Sequence, residues 1–218
     1  DDTDFRRDPR IGYFIKLDRW QWPNRTPQES SWFQYDLETT GYIPIIDQKI
    51  IMVLTQYFST SKVITPGKVE KYTCTDQQLL LYPKCQEIFD ELYIDELNES
   101  NKGRSTSLGG YERLRGYPEG RFFDEHTNFR GIELRYYFES VDLDFDVIFA
   151  KGFLAEFQVA GFYEQGTVSQ NLGADFWNNF KDSYGVGVRL ITGSAVARLD
   201  FGFSDEGSET TAYWDYPF

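Results

Sequence analysis

The sequence predicts an all-β fold, eight antiparallel strands closed into a transmembrane barrel, in a single domain over residues 1–218. Three observations carry that expectation. Aromatic residues make up 18% of the chain, yet its mean hydropathy is −0.52. The pairing suits a wall whose apolar and polar residues alternate, rimmed by rings at two water interfaces. Segments of the C-terminal half alternate with period two, the spacing of strands. No stretch approaches the roughly 20 apolar residues of a membrane helix; the longest aliphatic run is IIMVL at 50–54.

The first three strands, near 11–20, 31–43 and 48–58, alternate least cleanly. A polar loop around 21–30 joins the first two, and the short PIID joins the next pair. A long polar stretch, 59–125, follows. Within it, PKCQEIFDELYIDEL starts at Pro83 and spaces Ile88, Leu92 and Leu97 along one helical face, predicting a short amphipathic helix. Cys74 and Cys85 have no nearby His to complete a metal cage, so a disulfide is expected, and with it an oxidising compartment.

The later strands are clearer. Near 128–138, Ile132, Leu134, Tyr136 and Phe138 oppose Gly131, Glu133, Arg135 and Tyr137. Near 154–166, Phe157, Val159 and Tyr163 oppose Glu156, Gln158, Phe162 and Glu164. Near 184–192, Val186, Val188 and Leu190 oppose Gly185, Gly187 and Arg189. Near 195–204, Leu199, Phe201 and Phe203 oppose Arg198, Asp200 and Gly202. The last strand, 210–218, sets Ala212, Trp214, Tyr216 and Phe218 on one face. The link 139–153 has no legible conformation.

Such strands could also build a soluble sandwich. The polar face favours the barrel: it carries both signs of charge with glycines interleaved, as expected of a narrow lumen where opposite charges pair. Net charge −13 and a pI near 4.5 argue against a nucleic-acid partner. His126 is the sole histidine, beside Glu125 at a strand start, where it is expected to be solvated. No catalysis, metal site or cofactor is expected. The opening DDTDFRRDPR has no apolar core, so a leader is expected to have been cleaved, unless the chain is a piece of something longer.

The segment ERLRGYPEG, 112–120, would ordinarily be a solvated turn. Leu114-Arg115-Gly116-Tyr117, however, is similar to the (Val/Ile)-Arg-Gly-(Phe/Tyr) motif of the BamA/TamA-type outer-membrane barrel superfamily, also called the bacterial surface antigen family. Gly131, Glu133, Leu134 and Arg135 follow as in that family. Phe162-Tyr163-Glu164-Gln165-Gly166 resembles its Phe-x-Asp-x-Gly, with Glu for Asp. Thr211, Tyr216 and Phe218 resemble its final-strand insertion signal, with Tyr213 where Gly is usual and an unusual Pro217. The resemblance covers about 105–218.

The resemblance implies a long extracellular loop that folds back into the lumen and places Arg115 against Glu164, or second against Glu133. It implies outer-membrane lipid and the barrel-insertion machinery as partners, in a Gram-negative bacterium. The family's barrels carry more strands than eight and usually follow POTRA domains, so this chain resembles a minimal, POTRA-less member. The functions implied are membrane perturbation or assisted insertion or transport of proteins or lipids. The alternative is a non-catalytic structural or interaction barrel that oligomerises or binds a partner through its seam or large loop.

Overall fold

A single antiparallel sheet dominates the computed structural model, which describes residues 1–4, 8–138, 141–147, 150–192 and 196–214. Its strands are β1 (Gly12–Trp22), β2 (Ser31–Ile46), β3 (Ile50–Thr65), β4 (His126–Tyr137), β5 (Val141–Val147), β6 (Ala150–Ser169), β7 (Lys181–Thr192), β8 (Val196–Phe203) and β9 (Ser208–Trp214). Eight lie in the order β1-β2-β3-β4-β6-β7-β8-β9, and β5 pairs with β6 alone. The eight-stranded antiparallel expectation therefore stands as a sheet. It is not closed into a barrel: among the described residues no ladder joins β1 to β9.

The sheet curls so strongly that opposite strands meet across its concave face. Tyr42 of β2, Ile51 and Val53 of β3, Tyr137 of β4, Ile191 of β7 and Val196 of β8 pack in one apolar layer. That layer lies at the end where β1 starts. At the other end Tyr57, Leu108, Leu114, Tyr117 and Phe129 form a second layer. Between the two sit charged side chains from β4, β6, β7 and β8. Period-two alternation produces this division directly, since successive side chains point to opposite faces. On β4, Glu133 and Arg135 are fully buried, while Ile132 and Leu134 are 40% and 51% exposed.

Several boundaries differ from the sequence reading. β3 continues to Thr65, so the long connection is 66–125 rather than 59–125. Ser59 and Ser61 are buried on the concave face, and small polar residues in such positions look like loop in a sequence. β2 passes Pro44 to reach Ile46, with a register shift between Pro44 and Ile46. The next turn places Asp47 and Gln48 at positive φ, 38° and 60°, a left-handed geometry that matches strand twist. Part of the illegible 139–153 link is the β5–β6 hairpin.

The expected helix is α2 (Cys85–Ser100), preceded by an unanticipated α1 (Asp76–Leu81) that Thr75 and Gln78 cap reciprocally. A disulfide joins Cys74 to Cys85, with Cα atoms 6.3 Å apart. Neither helix buries a residue, so Ile88, Leu92 and Leu97 do not pack onto the sheet as an amphipathic stripe would. A short α3 (Ala174–Asn178) precedes β7.

Candidate functional site

Residues 103–125 fold into the concavity. Leu108 and Phe122 pair as a short bridge, and the chain between them turns on Gly109 and Gly110, both at positive φ. Leu114 is also left-handed, at φ 56°, a conformation uncommon for a side chain of its size, and it is fully buried. Holding Leu114 there aims the next residue, Arg115, at the charged layer.

The Arg115 side chain is completely buried and meets three carboxylates. Its Nε donates to Glu164 Oε1 at 2.7 Å, Nη1 to Asp200 Oδ2 at 2.9 Å, and Nη2 lies 3.0 Å from Glu133 Oε2. Its backbone N–H donates to the second Glu164 oxygen at 2.8 Å. The guanidinium carbon lies 3.5 Å from the centroid of the Phe162 ring, a face that attracts cations. Expected partners Glu164, Glu133 and Phe162 are thus all in place. Asp200 is an addition that the sequence reading left on the polar face without a role.

Close packing explains the glycines. A Cβ on Gly116 would lie 2.4 Å from the Phe203 carbonyl oxygen, and one on Gly202 would lie 2.3 Å from that of Arg115. The loop backbone therefore rests directly on β8, where no side chain fits on either partner. Gly166 makes room for Leu108 and Leu114 in the same way.

The charged layer extends beyond the motif. Arg135 Nε donates to Glu133 Oε1 at 2.7 Å, and Arg189 reaches Glu133 at 2.8 Å and Gln158 at 2.6 Å. Arg198 lies 3.6 Å from Asp200 and donates to the Tyr111 carbonyl. Fully buried charges of this kind persist only when paired, because desolvation costs each several kcal/mol. Around the layer the loop is fastened at further points. Arg113 stacks 3.8 Å over Tyr57 and faces Glu38 at 3.6 Å. Ser59 Oγ donates to Asp36 at 2.6 Å and accepts from Thr106 N at 3.1 Å. Nothing in the local sequence marks Asp36, Ser59 or Thr106; only the curl of the sheet brings them together.

Tyr117 completes the motif by donating to Asp205 at 2.5 Å. That hydrogen bond, with help from Lys181, holds the Asp205 carboxyl below the ordinary range, while burial and the same carboxylate push the Tyr117 phenol up. At the opposite end, Asp8 accepts from Tyr137 at 2.7 Å and Arg10 stacks 4.0 Å over that ring while pairing with Glu156. The N-terminal segment therefore covers the apolar layer at its end of the sheet.

The remaining expected residues are scattered. Thr211 pairs with Asp200 in the β8–β9 ladder, whereas Tyr216, Pro217 and Phe218 lie outside the described residues. His126 opens β4, and its Nδ1 is 2.7 Å from Thr60 Oγ1. The Arg115 cluster thus locks the loop inside a curled sheet.

No family model matches this chain. Comparison with curated proteins and with solved structures likewise yields no significant match.

Proposed function

We propose that this chain is an integral outer-membrane β-barrel protein of Gram-negative bacteria, related to the BamA/TamA-type barrels, with 103–125 as its lumen plug. One observation carries the reading: the sheet is inside-out. Its convex face exposes Ile15, Leu17, Leu54, Leu134 and Val186, while Arg115, Arg135, Arg189, Glu133 and Glu164 are fully buried on the concave face. An apolar wall around a paired charged interior is the pattern a bilayer selects. In hydrocarbon an unpaired strand edge is not tolerated, so embedding demands that β1 and β9 close on each other or find other strands. Among the described residues no helix is long and apolar enough to cross a membrane, so on this reading the crossing falls to the strands.

The role that follows is non-catalytic: perturbing the membrane, or assisting insertion or transport of proteins or lipids. The lack of a ladder between β1 and β9 among the described residues supports it. Liposome reconstitution tests it, scoring ion leak, lipid movement and client-barrel insertion separately, after flotation has established membrane integration. A chain that stays in the aqueous fraction after refolding with liposomes overturns the membrane reading.

A second reading is an interaction barrel. Leu80, Leu81, Tyr82, Ile88 and Ile94 are all more than half exposed on α1, α2 and the turn between them, an apolar surface of the kind that marks contact sites. Native mass in lipid, with a crosslink between β1 and β9, separates a closed monomer from an oligomer joined at the seam.

A further inference from the structure

β1 stands at the end of the strand order with β2 on one side, and the edge of such a strand invites pairing. The first residues of the chain take the start of that edge. Asp2 N–H donates to the Tyr13 carbonyl at 2.9 Å and Asp4 N–H to the Ile11 carbonyl at 3.2 Å, so residues 2–4 run antiparallel to β1. The Asp4 side chain holds the return: its Oδ1 accepts from Arg10 N at 2.9 Å and from Ile11 N at 3.1 Å. Gly12, at φ 111°, is where the two stretches touch. A Cβ there would lie 2.0 Å from the Asp2 carbonyl oxygen and 2.9 Å from Thr3 Cα, so β1 admits the segment only over glycine.

The segment is anchored as well as paired. Pro9 is buried behind it. Asp8 accepts from Tyr137 of β4, while Arg10 stacks on the same ring and pairs with Glu156 of β6. The first four residues are thereby held from a fixed point on β4 and β6. β9 is the competitor for the same place. It ends the strand order on the other side, and in an eight-strand antiparallel order it runs opposite to β1, as residues 2–4 do. Its Trp214 pairs with Ala197, beside Val196 of the apolar layer that also holds Tyr42, the partner of Gly12. β9 therefore finishes at the end of the sheet where β1 begins.

We propose that residues 1–4 are an edge cap: they occupy the start of β1 in place of β9 and hold the seam open, and their release lets β1 and β9 pair. A solvated tail would leave the Ile11 and Tyr13 carbonyls to water and would need neither the Asp4 turn nor the bare Gly12. This cap presupposes the β1–β9 seam invoked under the membrane reading, whether or not lipid surrounds it.

The test is crosslinking in detergent micelles. Tyr13→Cys or Ile15→Cys on β1 is combined with Thr210→Cys or Ala212→Cys on β9, all four positions being exposed. A short bismaleimide joins the new thiols while Cys74 and Cys85 stay in their disulfide. The full chain is expected to crosslink poorly. Deletion of residues 1–4, Asp4→Ala and Gly12→Ala should each raise the yield of crosslinked monomer about fivefold or more, the weight of one net hydrogen bond. Amide exchange followed by NMR on the unaltered chain needs no variant, and should find the Asp4 N–H protected. Equal yields with and without the cap, a crosslinked dimer in place of the closed monomer, or an unprotected Asp4 N–H overturns the proposal. Flotation with liposomes is scored on the same samples. A chain that floats with its yield unchanged refutes the cap alone; one that stays aqueous while its yield rises refutes the membrane reading alone.

Discussion

Arg115 and Glu164 are joined twice, through the guanidinium Nε at 2.7 Å and through the Arg115 backbone N–H at 2.8 Å, with both side chains fully buried. The loop is thus held by side chain and main chain at one carboxylate. Two further acids, Glu133 and Asp200, share the same guanidinium. Arg115→Met takes the guanidinium from Glu164 and one of several cationic partners from Glu133 and Asp200, and should cost about 3–5 kcal/mol in unfolding experiments, as when one member of a buried ion pair is removed. A double-mutant cycle with Glu164→Gln should give a coupling of about 0.5–3 kcal/mol. Zero coupling would refute the pairing. Exchanging the charges, Arg115→Glu with Glu164→Arg, should not restore stability, because the new glutamate would face Glu133 and Asp200.

The loop's contact with β8 predicts a graded glycine series. Gly116→Ala and Gly202→Ala press a methyl group into backbone and should each destabilise by about 1–3 kcal/mol. Gly161→Ala projects into open space and should change stability by less than about 0.5 kcal/mol. Thermal midpoints of the three variants, compared side by side, check the ordering.

The disulfide should act locally. Cys74 and Cys85 are separated by 11 positions, and α1 and α2 bury nothing against the sheet. Cys74→Ser should therefore loosen the helices by up to about 3 kcal/mol while leaving the sheet's unfolding midpoint unchanged. Limited proteolysis should cut between 66 and 102 in the variant first. Equal sensitivity of variant and parent would contradict this separation.

Acid should release the Tyr117 hook. The Asp205 carboxyl is held below its ordinary range by Tyr117 and Lys181. A group whose folded pKa is depressed contributes stability above its unfolded value and loses it as pH falls through the folded one. Asp205→Asn should thus be less stable than the parent at neutral pH, and the gap should narrow as pH drops below the ordinary carboxylate range. A gap independent of pH would exclude the ionised hook.

Much of the site was legible because strand alternation is local. The parity that put Glu133, Arg135, Phe162, Glu164 and Gly166 on one side of their strands holds in the structure, and each of them faces Arg115, its loop or its partners. Asp200 was on the correct face but had no assigned partner, since the distance from β8 to a loop 85 residues earlier is set by curvature alone. The serines of β3 read as loop because a polar lumen and a polar loop have the same composition.

By itself, then, the sequence determined the approximate places of eight strands, their inward and outward sets and the Cys74–Cys85 bridge, all of which follow from spacing and residue chemistry along the chain. The tertiary structure decided the rest. It placed four arginines among three acids, left α1 and α2 without a buried residue, and, among the described residues, left β1 and β9 without a ladder between them. Those outcomes depend on how far the sheet curls and what fills its interior, which is a balance of packing and desolvation summed over many strands rather than a property of any one of them.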